Sequence, residues 1–370
     1  MSVPLAEARV QLGSHIDRAR RQAEHARRHL FDRASLSQAG QTPFETVWSD
    51  GAMHLRYYPP LGEVTQPPRT PLVLVPPLAV NMLVYDLFPH RSLVRYLRTR
   101  GFELYLIDWG RPSRAQNARN LAGYFAQLLP QMLDRVRART GCKRLNLHGW
   151  SLGGLFVLCQ AALAADDEIA NLVVVGAPVD YHDNGVLGER YRWLSRHAGR
   201  LHELTGLSAA QLPSAVLRSP GWVNSLAFKL TTPMASLRSY GRLLRNLHDD
   251  EYVRSHATHA AFLNGMVAYP GGVVADFIDY LWVDNVMADG RLPMADTQAT
   301  LADVRAPILN ITGQDDLIVT PRCSQAMADL VGAADITCKV EPGGHVSIVS
   351  GEQAARQSWP AIADWLIARD

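Results

Sequence analysis

The chain has 370 residues, a net charge of +2, 47% hydrophobic and 19% charged residues. It can therefore bury a large core, and its length fits one large α/β domain with an insertion or two domains. The near-neutral balance gives no case for a nucleic-acid partner. No apolar run reaches the roughly 18 residues of a membrane span, and Met1 to Glu7 lacks the apolar core of a signal peptide. Cys142, Cys159, Cys323 and Cys338 match no zinc or redox spacing and suit a reducing compartment. A cytoplasmic protein without a transmembrane segment is expected.

Residues 5–34 read as an Arg-rich helix with interleaved acids and sparse apolar positions, a solvated helix lying loosely on the body. Residues 35–43 read as a polar linker. Asp50-Gly51 between two alternating runs, 45–49 and 53–58, signals a hairpin. After a Pro-rich loop, Leu72-Val73-Leu74-Val75 is wholly apolar, as in a parallel strand buried on both faces. It runs into Pro76-Pro77-Leu78-Ala79-Val80-Asn81, where the prolines stop the ladder and cannot donate. A helix over 92–100, a strand over 103–110, a helical stretch over 119–140 broken at Pro130, and a strand over 144–148 follow.

Gly149-Trp150-Ser151-Leu152-Gly153 then fits G-x-S-x-G, the nucleophile elbow, with a buried helix behind it through Leu163. A serine on a tight strand-to-helix turn has strained backbone, and glycines on either side let neighbouring chain come close. The turn aims the Leu152 amide and the start of the helix at the position of a developing oxyanion. His148, at the strand end, reads as structural. A strand over 171–176 extends an alternation of strand and helix that argues for a mostly parallel, doubly wound sheet.

Residues 181–300 break that rhythm. They are helical in pattern, interrupted at Pro213, Pro220, Pro233, Pro270 and Gly271-Gly272, and too long for a loop. They read as a helical cap. His256 and His259 lack a third ligand at helical spacing, so no metal is expected. The sheet resumes over 307–313 and 336–340, and a closing helix spans 354–368 with Pro360 near its middle. The division is an N-terminal helical segment (1–40), a sheet core (41–180 and 301–370) and the cap (181–300), with about eight strands and no internal repeat.

A serine hydroxyl needs a base, and the base needs an orienting carboxylate. In the α/β-hydrolase fold these follow in the order Ser, acid, His. Here Gly313-Gln314-Asp315-Asp316 and Gly344-His345 each follow a strand, on the sheet edge that carries the elbow. Ser151 is the expected nucleophile, Asp316 the acid with Asp315 as the alternative, and His345 the base. The amides of Leu152 and of Leu78 (or Ala79) are the expected oxyanion donors. The chemistry implied is two-step acyl transfer to water or to an alcohol, with no cofactor.

From about residue 70 onward the chain resembles the polyhydroxyalkanoate synthase family, especially its short class III catalytic subunits. The likeness is carried by Pro71 to Leu78, by Ser92 to Leu97 and by Ile107-Asp108-Trp109-Gly110. It continues in Gly149-x-Ser151-x-Gly153-Gly154, Asp316-Leu317-Ile318-Val319 and Gly343-Gly344-His345. The resemblance implies an α/β-hydrolase fold, with Ser151, Asp316 and His345 as nucleophile, acid and base. It also implies 3-hydroxyacyl-CoA or the derived polyester as substrate, and a second synthase-type subunit or a homodimer as partner. One position departs: the family's nucleophile is cysteine, where this chain has Ser151. Cysteine exchanges thioester for thioester at little cost, whereas serine forms an ester less activated for the next transfer. The readings are therefore synthase-like acyl transfer, a general carboxylesterase or thioesterase, or a non-catalytic granule- or partner-binding protein.

Overall fold

The computed structural model describes residues 18, 20–29, 31–61, 68–164, 168–206, 208–231 and 233–370. Eight strands form one sheet: β1 (Glu45–Asp50), β2 (Met53–Tyr58), β3 (Leu72–Val75), β4 (Leu104–Asp108), β5 (Leu145–Trp150), β6 (Ile169–Val175), β7 (Ile308–Gly313) and β8 (Ile336–Glu341). Their order is β1-β2-β4-β3-β5-β6-β7-β8. The β1–β2 and β2–β4 pairs are antiparallel, and all other neighbours are parallel. From β3 the chain moves outward to β4 and then returns to place β5 on the other side of β3. This reversal opens a crevice at the carboxyl ends of β3 and β5, where open α/β sheets bind ligands.

The strands β3, β5, β6 and β7 are buried along their whole length because both faces are covered. Val73 and Val75 pack with Leu147, Val174, Phe125 and Phe156 on one side. Leu72 and Leu74 pack with Val173, Val175, Leu97 and Trp359 on the other. The first side is covered by helices Leu129–Thr140 and Leu152–Leu163, the second by Leu93–Thr99 and Ser358–Ile367. Each fully buried Val or Leu contributes roughly 1.5–3 kcal/mol.

Three local expectations need correction. Pro130 does not break its helix: it falls in the first turn of Leu129–Thr140, directly after a π-helical stretch, Gly123–Leu128. A proline lacks an N–H to donate, and the start of a regular helix is where none is required. The closing helix is three short ones, Ser347–Ser350, Glu352–Arg356 and Ser358–Ile367, with Gln357 at φ −128° breaking the run. Pro360 therefore lies in a first turn, not a middle. The 35–43 stretch is no free linker. Leu36 is fully buried, and Thr42 donates its N–H and hydroxyl to the two carboxylate oxygens of Asp86 at 2.7 and 2.8 Å.

The expected Arg-rich helix lies partly outside the described residues; residues 20–29 are helical. His25 and His29 are buried. The Leu247 carbonyl lies 2.7 Å from His25 Nδ1, and His256 Nδ1 lies 3.1 Å from His29 Nε2. This helix therefore rests on the inserted helices.

Residues 181–300 hold helices Gly185–Thr205, Ser214–Leu217, Gly221–Leu230, Pro233–Arg245, Asp250–Asn264 and Gly271–Asp276, with no strand among the described residues. Pro213, Pro220 and Pro270 stand immediately before helices, and Pro233 is the first residue of one. The prolines thus mark helix starts, where φ near −65° is already suitable. Among the described residues no helix is long and apolar enough to cross a membrane.

Candidate active site

β5 ends at Trp150, and the helix behind it begins at Leu152. Ser151 lies between them at φ 55°, ψ −125°, a conformation L-residues avoid. Its N–H donates to Val175 O at 2.8 Å, and its carbonyl accepts from Gly154 N at 2.8 Å and Leu155 N at 3.3 Å. The tightness of the turn explains the flanking glycines. A Cβ on Gly149 would lie 2.3 Å from the Gly153 carbonyl oxygen, and one on Gly153 only 2.1 Å from the Val75 oxygen. The second contact also puts the end of β3, and the Pro76-Pro77 loop after it, directly against the elbow.

His345 and Asp316 reach Ser151 from the ends of β8 and β7. Asp316 Oδ1 accepts from Ile318 N and Val319 N, both at 2.9 Å, which fixes the carboxylate and leaves Oδ2 for another partner. That partner is His345 Nδ1, at 2.7 Å. His345 Nε2 lies 2.8 Å from Ser151 Oγ. An ionised carboxylate can only accept, so Nδ1 carries the proton and Nε2 is the acceptor facing the hydroxyl. His345 and Asp316 are 8% and 2% exposed, so this line of hydrogen bonds is shielded from competing water. Asp315 is exposed, and its amide donates to Gly343 O. A hydroxyl, an imidazole and a carboxylate hydrogen-bonded in this order form an arrangement suited to acyl transfer.

Residues 76–81 form the opposite wall. Trp109 Nε1 donates to Pro76 O at 2.9 Å. Leu78 and Leu152 are 4% and 5% exposed, and among the described residues no carbonyl accepts from either backbone N–H. Ala79 has φ 63°. Beside this loop is a pocket lined by Leu78, Ala79, Val80, Trp109, Tyr124 and Val267, among others.

Sequence reasoning missed three supports of this arrangement. Trp150, the variable position of the motif, donates its indole N–H to His345 O at 3.1 Å, with ring centroids 5.5 Å apart. Asn184 donates to Ile318 O and accepts from Thr320 N, both at 2.8 Å, clamping the loop that carries Asp316. Asn81 ties the 76–81 loop to the inserted helices, its Nδ2 donating to Phe262 O at 3.0 Å. Only Trp150 had a signal, its place inside the motif. His148 is 1% exposed, its ring nitrogens have no hydrogen-bond partner among the described residues, and Tyr85 packs edge-on against it at 6.3 Å. Burial lowers its pKa to about 4, so the ring stays neutral. His256 bonds His29 instead of pairing with His259, whose Nδ1 lies 2.9 Å from Ser255 O.

The family model for the alpha/beta hydrolase fold matches residues 70–352, and the chain belongs to that family. It is an enzyme of that fold, and along most of its length its sequence is similar to the poly(3-hydroxyalkanoate) polymerases. The poly(3-hydroxyalkanoate) polymerase subunit PhaC of Haloferax mediterranei is 28% identical over 369 residues, covering 96% of this chain and 71% of that one. The same subunit of Allochromatium vinosum is 28% identical over 338 residues, 91% of each chain. A solved structure of a soluble variant of monoglyceride lipase from Saccharomyces cerevisiae, in complex with a substrate analog, has the same fold. Its TM-score is 0.56 at 16% identity, covering 90% of this chain and 96% of that one.

Proposed function

We propose that Ser151 is the nucleophile of a two-step acyl transfer acting on 3-hydroxyacyl-CoA or the derived polyester. His345 takes the hydroxyl proton as Ser151 Oγ attacks the acyl carbonyl, and Asp316 holds the imidazole in the required tautomer. The Leu152 and Leu78 amides receive the oxyanion. The tetrahedral species then expels coenzyme A, or the alcohol of a polyester, which takes the proton from His345. An acyl ester is left on Ser151. A second hydroxyl, from water or the end of a growing chain, enters by the reverse path. The observation that carries this reading is the unbroken line Ser151–His345–Asp316 at 2.8 and 2.7 Å. Support for the substrate class comes from the names of the curated relatives, which are poly(3-hydroxyalkanoate) polymerases.

Residues 181–300 act in this reading as a cap whose 267–270 stretch walls the pocket beside the oxyanion loop. The free thiols Cys142, Cys159, Cys323 and Cys338 suit the cytoplasm. A second synthase-type subunit or a second copy of the chain is the expected partner.

Hydrolysis is the second reading, and the hydroxyl at position 151 favours it. An ester is a poorer acyl donor than the thioester a cysteine would form, which leaves more time for water to intervene. The test supplies purified protein with 3-hydroxybutyryl-CoA and follows coenzyme A release, free acid and polymer together. Thiol release that vanishes in Ser151→Ala is the expected outcome. Polymer identifies a synthase, free acid alone a hydrolase, and unchanged release in Ser151→Ala overturns the nucleophile assignment.

A further inference from the structure

We propose that Asn81 is a positioning residue: it fastens helix Asp250–Asn264 to the loop bearing the Leu78 amide, so the seated inserted helices set the second oxyanion donor. The inference rests on the acyl-transfer reading above and concerns how one half of its oxyanion site is held.

The loop is anchored from two sides. On the sheet side, Trp109 Nε1 holds Pro76 O at 2.9 Å. On the other side, both anchors come from one short stretch of the inserted helices. Val267 N donates to Ala79 O at 2.9 Å, and Asn81 Nδ2 donates to Phe262 O at 3.0 Å. Leu78 lies between these anchors. Ala79 is the strained point of the loop, at φ 63° with a Cβ that disfavours it. Without outside contacts it would relax to negative φ and turn the peptides beside Leu78.

The amide of Asn81 suits both of its tasks. Its Oδ1 accepts from Leu83 N at 3.1 Å and caps the 3₁₀ turn Met82–Asp86, while its Nδ2 faces the helix carbonyl. A carboxylate could perform the first task only. Phe262, which supplies the carbonyl, is itself buried in the main core, so its end of the tie is rigid. The ring of Leu78, Ala79, Val80 and Val267 around the adjacent pocket places the tie at the wall of the site.

The test uses the whole chain and a fluorophosphonate probe, whose attack by Ser151 needs the oxyanion donors but no knowledge of the natural acyl group. Asn81→Asp keeps the cap on Leu83 N and turns the donor into a carboxylate facing a carbonyl. Losing an oxyanion donor outright costs about 10²–10³-fold in rate, and misplacing one costs less. The maximal labelling rate should therefore fall about tenfold with the half-saturating probe concentration nearly unchanged.

As pH is lowered toward about 4, the ordinary range of an aspartate, the new carboxyl gains a proton and can donate again. The variant-to-native rate ratio should then climb toward one, a response a merely structural residue would not give. Gly265→Ala provides the second variant: its Cβ would lie 2.4 Å from Asn81 Nδ2 and 2.7 Å from Ala261 O, disturbing the tie at its helix end. It should slow labelling similarly, with no recovery at low pH. Native labelling rates in both folded variants, or an Asn81→Asp ratio flat in pH, overturn the proposal. Absence of labelling in the native chain, or its persistence in Ser151→Ala, instead overturns the acyl-transfer reading.

Discussion

Replacing oxygen by sulfur at one position separates two chemistries on the same scaffold. Ser151 already has the strained elbow backbone, and the imidazole lies 2.8 Å from its oxygen. A thiol there needs no new geometry, is more acidic than the hydroxyl and forms an acyl-enzyme that is again a thioester. Ser151→Cys is expected to raise the ratio of polymer to free acid from 3-hydroxybutyryl-CoA, with a covalent acyl adduct visible by intact mass. A ratio equal to that of the native chain would show that the nucleophile does not decide the product. Asp316→Asn tests the orienting carboxylate. The asparagine oxygen can still accept from Ile318 N and Val319 N, but its amino group then faces His345 Nδ1. The imidazole must present Nε2–H to the serine and loses its capacity as a base. A fall in kcat of about 10⁴-fold is expected, with folding retained.

At the scale of elements, what was legible in the sequence was local and periodic. β3 is four consecutive apolar residues because both its faces are covered, and β5 leads into an elbow whose close contacts require Gly149 and Gly153. Those signals placed the sheet edge and the residues that meet there. Hydrogen-bond pattern was less legible: Pro130 follows a π stretch whose register no propensity anticipates, and Gln357 ends a run that looks continuous. Beyond the order of Ser151, Asp316 and His345, contacts between distant segments were not legible. Asn81 is one of many polar loop residues until Phe262, 181 positions away, is placed beside it. Thr42 looks like linker until Asp86 is seen to accept both its donors. The histidines of the N-terminal helix look solvent-facing until the inserted helices cover them.

Two buried ionisable groups give the whole molecule opposing responses to acid. His148, fully enclosed in β5, has its pKa lowered by burial to about 4. Its folded form binds the proton less well than the unfolded chain, so it supports stability above pH 6.5 and loses that support as pH falls toward 4. Asp276 accepts from Leu121 N at 2.8 Å. Burial, more than the nearby Asp279, raises its pKa from 3.8 to about 6. Its support is complete below pH 3.8 and is lost as pH rises to about 6.

Each effect amounts to about 3 kcal/mol at most, and over pH 4–6 they oppose each other. Urea unfolding at about pH 4 and pH 7 separates them. Relative to the native chain, His148→Leu should gain stability toward acid, and Asp276→Asn should lose it. His148→Leu should also be no less stable at pH 7, because neither ring nitrogen has a partner to forfeit. Equal pH slopes in all three proteins would refute both assignments.

The separation of the site along the polypeptide has a consequence for synthesis. Ser151 and His345 are 194 positions apart, with the inserted helices between them, whereas His345 and Asp316 are 29 apart. As the chain leaves the ribosome, the proposed nucleophile emerges well before the proposed base. A nascent chain with its elbow already folded is therefore chemically mute toward acyl donors around it. In the proposed roles, reactivity waits on the last two strands, since Asp316 and His345 follow β7 and β8.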